Sequence, residues 1–85
     1  MEELYRTIEE KIKKAGYPKP VDGREFYDDI CDEADEKENG AYMFMIKKEE
    51  RLIYEGMMII MDEEFDLKYV DICDGDEKYH VDFDI

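Results

Sequence analysis

The sequence has no serine, no glutamine and no tryptophan, and it has only two prolines, two cysteines and one histidine. Each shortage excludes something. Without serine there is no serine nucleophile, and Thr7 sits on the polar side of a predicted helix as a surface residue. Cys31 and Cys73 form no C-x-x-C pair and are too few for a disulfide framework. Both are expected as free thiols in a reducing cytoplasm. The chain opens Met-Glu-Glu, unlike the basic start of a signal peptide. Its apolar runs, Gly56 to Met61 among them, are far too short to span a bilayer. No glycine-rich loop of the phosphate-binding kind occurs.

Positive charge is also scarce. Twelve Lys and Arg face 26 Asp and Glu, a net charge of −14. DNA, RNA and anionic lipid are polyanions, so direct binding to any of them, or to a membrane surface, is disfavoured. An electrostatic partner is expected to be a basic protein, itself suited to nucleic acid. The residue usage, rich in Lys, Glu, Asp, Ile and Met, resembles that of AT-rich microbial or phage genomes.

What remains is ample for one folded domain over residues 1–85. The hydrophobic fraction is 44%, with seven Tyr and four Phe to supply large buried areas. A chain of this length is expected to be stable by about 4–13 kcal/mol.

Helical periodicity governs the first half. Leu4, Tyr5, Ile8, Ile12 and Ala15 make one stripe over residues 2–15. Glu2 and Glu3 open that helix and Lys13 and Lys14 close it, matching its dipole. Glu2–Arg6, Glu9–Lys13 and Glu10–Lys14 are spaced to pair. Gly16, Pro18 and Pro20 end the segment. Asp22 reads as the N-cap of a second helix, forming a capping box with Glu25 and a staple between Val21 and Phe26. Its buried stripe is Phe26, Tyr27, Ile30, Cys31 and Ala34, and Asn39-Gly40 is expected to end it.

From Ala41 the period becomes two. Four strands follow, at about 41–47, 52–61, 65–73 and 78–85, joined by short turns, with Asp74-Gly75 as a hairpin signal. Gly56 marks a bulge or a close approach. The expected fold is α+β: two N-terminal amphipathic helices packed on one face of a four-stranded antiparallel meander, ααββββ. The first two strands are apolar on both sides, with Tyr42, Phe44 and Ile46 opposed to Met43 and Met45. Either both sides are covered, or the surplus forms a homodimer face or partner groove.

The charge is unevenly placed. Residues 1–16 and 41–61 are each neutral, residues 22–40 carry −7 and residues 62–85 carry −8. In the second helix, Asp28–Asp32, Asp29–Glu33 and Asp32–Glu36 are like-charge neighbours, which cost a few tenths of a kcal/mol each. Acids at its C-terminal end also oppose the dipole. Such unrewarded violations of local preference tend to mark function. The expected partner-binding row is Asp28, Asp29, Asp32, Glu33, Asp35 and Glu36, with Asp82 and Asp84 projecting from the last strand as a second acidic zone. Crowding is expected to raise carboxylate pKa values and to increase stability as pH falls from neutral.

Little else carries chemistry. His80 lies between Lys78 and Asp82 on the polar side of the last strand, and strand alternation is read as setting it opposite Cys73. Zinc ligands are not spaced in any familiar pattern. The acids around Gly75 do not fit a calcium loop, because Val70 and Ile72 occupy ligand places. No catalytic residue, metal or cofactor is expected. The sequence therefore reads as a non-enzymatic acidic binding protein. One version is a nucleic-acid mimic that occupies a partner's basic site. Anti-CRISPR, anti-restriction and nuclease-immunity proteins work in that way, and the likeness to them is one of size and charge. The other version is a small interaction or homodimerising domain that uses the Met-rich sheet, with the acids serving solubility.

Overall fold

The structure, a computed structural model, describes residues 2–35, 37–62 and 64–83. Two helices, α1 (Glu2–Lys14) and α2 (Gly23–Ala34), precede four strands, β1 (Gly40–Glu49), β2 (Leu52–Met61), β3 (Glu64–Asp74) and β4 (Glu77–Asp82). The sheet is an antiparallel meander in the order β1-β2-β3-β4. This is the α+β arrangement expected from the change of period at residue 41. No described helix is long and apolar enough to cross a membrane.

Both helices lie on one face of the sheet. Ile8 and Ile12 of α1 and Phe26 and Ile30 of α2 are buried with Phe44, Tyr54, Met58, Val70, Ile72 and Val81. Register explains the set: Phe44, Gly56, Val70 and Val81 lie in one cross-strand row, and Ile46, Tyr54, Ile72 and Tyr79 in the next. Ring contacts tie the layers together, Phe26 to Tyr54 at 5.2 Å and Tyr27 to both Tyr5 and Phe65. Burying Phe26 or Ile30 contributes about 1.5–3 kcal/mol each.

Two glycines allow close approach. A Cβ on Gly23 would lie 2.2 Å from the carbonyl oxygen of Tyr5, so α2 begins hard against α1. A Cβ on Gly56 would lie 2.3 Å from the Tyr69 carbonyl oxygen and 2.7 Å from the Phe44 ring. A register shift between Met57 and Met58 leaves Lys68 as an extra residue in β3. The glycine thus marks both a close approach and a neighbouring bulge. Gly75, with φ +64, turns the β3–β4 hairpin.

Three local expectations are corrected. First, α2 ends at Ala34, five residues before Asn39, with Asp35 extended at the cap. No base occupies its last turn, and Lys37 folds back to donate to the Glu33 carbonyl. Asn39 instead accepts from the Asp62 N–H at 2.9 Å and ties the start of β1 to the β2–β3 turn. Second, Asp22 does cap α2, accepting from Arg24 N at 2.9 Å, but Glu25 turns to Lys48. Third, none of the α1 pairs closes among the described residues. Glu9 instead accepts from the Gly23 N–H at 2.8 Å, where a carboxylate also meets the positive end of the α2 dipole. Asn39, Glu25 and Glu9 each take a tertiary partner in place of the local role expected of them.

Candidate functional site

The acids of α2 divide by direction. Asp28, Asp32 and Asp35 are exposed and make no ion pair with a described cation. Asp29 turns toward the sheet, where Lys48 reaches its carboxylate at 2.5 Å and Glu25 at 2.9 Å. The two hydrogen bonds, that to Asp29 foremost, raise the Lys48 pKa well above its ordinary value. Glu33 is half-buried. Glu36 and Asp84 lie outside the described residues. Beside Asp35, a groove of about 760 Å³ has Tyr27, Cys31, Ala34, Ile60 and Phe65 on its floor and Asp35, Lys37 and Glu64 at its rim.

Asp82 is exposed, but it neighbours Val81 in β4, and Val81 faces the helices. Alternation therefore sends Asp82 to the side of the sheet opposite α2. The α2 acids and Asp82 do not share a surface. Asp74, at the hairpin, is drawn away from both: Lys19 meets its carboxylate at 2.7 Å and the Tyr17 hydroxyl donates to it at 3.0 Å. These two contacts, Lys19 first, pull Asp74 below the usual carboxylate range. That is the opposite sense to the rise expected from crowding.

The face turned away from the helices is divided along the strand order. Over β1 and β2 it carries Met43, Met45, Ile53, Met57, Ile59 and Met61. No described helix covers them: Met43 is 68% exposed and Met45 and Met61 are each 62% exposed. β1 is an edge strand, and the two faces of β2 differ, with Tyr54, Met58 and Ile60 buried and Ile53, Met57 and Ile59 half-buried. Isolated exposed apolar residues are ordinary, whereas a contiguous patch on a small domain calls for a partner. The sequence showed the surplus; only the placement of both helices shows which side is left bare.

Over β3 and β4 the same face is polar. His80 and Asp71 are cross-strand partners, with Nδ1 and Oδ1 2.6 Å apart, and the Tyr69 ring lies 5.2 Å from the imidazole. Lys78 approaches the other Asp71 oxygen at 3.7 Å. Cys73 pairs with Lys78, one step from His80 on this same face, which corrects the expectation that the two lie on opposite sides. Proximity does not make a nucleophile. Burial, and then the charge of Glu55, push the Cys73 thiol up, away from the reactive thiolate. Burial likewise raises Cys31, on the helix side. Among the described residues no three His, Cys, Asp or Glu side chains converge on a metal position.

These features define an α+β domain with one clothed and one bare sheet face. No family model, curated protein or solved structure matches the chain.

Proposed function

We propose that this chain is a non-enzymatic protein-interaction domain that engages another protein through the bare face of β1 and β2. The supporting observation is the exposure of Met43, Met45 and Met61, between 62% and 68%, on a face that no described helix covers. Methionine suits this role because its unbranched, polarisable side chain adapts to an apolar counterface. The acids elsewhere keep a domain with such a face soluble.

A second reading is favoured by a separate observation. Asp28, Asp32 and Asp35 form an exposed acidic row, with no ion-pair partner among the described residues, beside the groove at the end of α2. Such a row suits a basic protein surface, including one built for a nucleic-acid backbone. Asp29 and Asp82 drop out of that contact, the first through its pair with Lys48 and the second through its place on the other face.

Photocrosslinking in the cells of origin separates the two. A photoreactive amino acid replaces Met43 in one variant and Asp32 in another. A discrete adduct from position 43 supports the sheet-face reading. An adduct from position 32 alone transfers the function to the acidic helix, and no adduct from either position refutes both.

A further inference from the structure

We infer that the occupant of the bare face is a second copy of this chain, stacked face to face and offset so that only the β1–β2 halves overlap. This rests on the reading of that face as an interaction surface and adds the identity and geometry of the partner.

Charge placement makes the argument. The whole excess of −14 lies outside residues 41–61, which carry three acids and three bases. Two copies that met through most other surfaces would oppose acid to acid. Meeting through β1 and β2, they bring together the one neutral stretch of the sheet. The polar half of the face, with Asp71, His80 and Asp82, explains the offset. Full overlap would take those groups out of water against methionines, and desolvating charged groups is costly even when they are paired.

The two charges on the overlapping half are Lys47 in β1 and Glu55 in β2. Neither has an ion-pair partner among the described residues of its own chain. Lys47 shares a cross-strand row with Ile53, and Glu55 shares the adjacent row with Met45. Take a twofold axis running along the strands between β1 and β2. It lays β1 of each copy over β2 of the other and keeps each row in place. Glu55 of the second copy then sits over Met45 of the first, one row of about 7 Å from Lys47. Packed sheets lie about 10 Å apart, a gap that Lys and Glu side chains together reach across. The symmetry repeats the pair, so both charges of each copy are answered.

The contact is small, of the size class of transient rather than obligate interfaces. Two strands of ten residues project about 300 Å² per copy. The total buried area therefore falls at or below the low end for specific interfaces, about 1,200 Å². Reversible dimerisation in the micromolar range is expected.

The test is sedimentation equilibrium of the purified chain across concentration and salt. The weight-average mass is expected to rise from 10.3 kDa toward twice that value. The dimer is expected to tighten between about 0.05 M and 0.5 M salt, because salt screens the repulsion between acidic copies. Met43→Glu should weaken it by at least about tenfold in Kd, while the far-UV circular dichroism and the melting curve measured at concentrations where the parent is monomeric stay close to those of the parent. Lys47→Glu and Glu55→Lys should each weaken it, and the two together in one chain should restore it. Mass fixed at the monomer value in high salt overturns the inference. So does a dimer indifferent to Met43→Glu, or one that the double exchange fails to rescue. The crosslink from position 43 separates the two levels. An adduct whose mass is not twice that of the chain overturns the second copy and leaves the interaction reading standing, whereas no adduct overturns both.

Discussion

Replacing Gly56 by alanine is expected to destabilise the domain by about 2–2.5 kcal/mol. The added Cβ would sit 2.3 Å from the Tyr69 carbonyl oxygen and 2.7 Å from Phe44 Cζ. Neither neighbour yields easily. The carbonyl belongs to the backbone of β3, a central strand, and Phe44 is 6% exposed within the core. Overpacking costs about 1–3 kcal/mol, and contact with fixed backbone puts this site at the upper end. Alanine restricts the unfolded chain, which returns about 0.4–1 kcal/mol. For a domain of this size the net loss lowers the melting temperature by roughly 10–20 °C. Thermal and urea melts followed by circular dichroism read it directly. Gly16→Ala is the control, since a Cβ there meets nothing within 4 Å and only φ +98 is strained. It should cost about 1–2 kcal/mol. Adding Phe44→Leu to the Gly56→Ala variant should show positive coupling, because one of the two clashes is relieved. A Gly56→Ala protein melting within a few degrees of the parent would refute the close packing of β1, β2 and β3 at this row.

Two further outcomes concern paired charges. Lys48→Met keeps the apolar stem but strands Asp29, whose side chain is 24% exposed. Urea denaturation should show a loss of about 1–2 kcal/mol after allowance for solvent screening, and no loss would mean the pair contributes nothing. Asp74 has a lowered pKa, so its stabilisation is present above the unfolded value and is lost as pH falls through the folded one. Urea midpoints measured from pH 7 downward should therefore fall below about pH 4, and Asp74→Asn should lower the neutral midpoint and flatten that acid limb. An acid limb equally steep in the variant would remove Asp74 as its cause.

The order of elements was legible in the sequence because it depends on neighbours along the chain. Leu4, Ile8 and Ile12 recur at helical spacing, and Tyr79 and Val81 at strand spacing, whatever they pack against. Asp22 could be read as a cap because capping is closed within three residues. The charge segments were likewise a matter of counting. Where the chain must choose between near and distant partners, sequence spacing misled. Glu9 leaves Lys13 for the Gly23 N–H, Glu25 leaves its capping box for Lys48, and α2 stops at Ala34. Which acids remain free was decided in the same way, because Asp28 and Asp29 are adjacent in sequence yet point to solvent and to Lys48. Above all, alternation gave β1 and β2 two apolar sides without ranking them. Only the docking of both helices on the Phe44 side left the Met43 side bare. A strand's pattern fixes what each side carries, whereas what covers a side depends on residues far away in the chain.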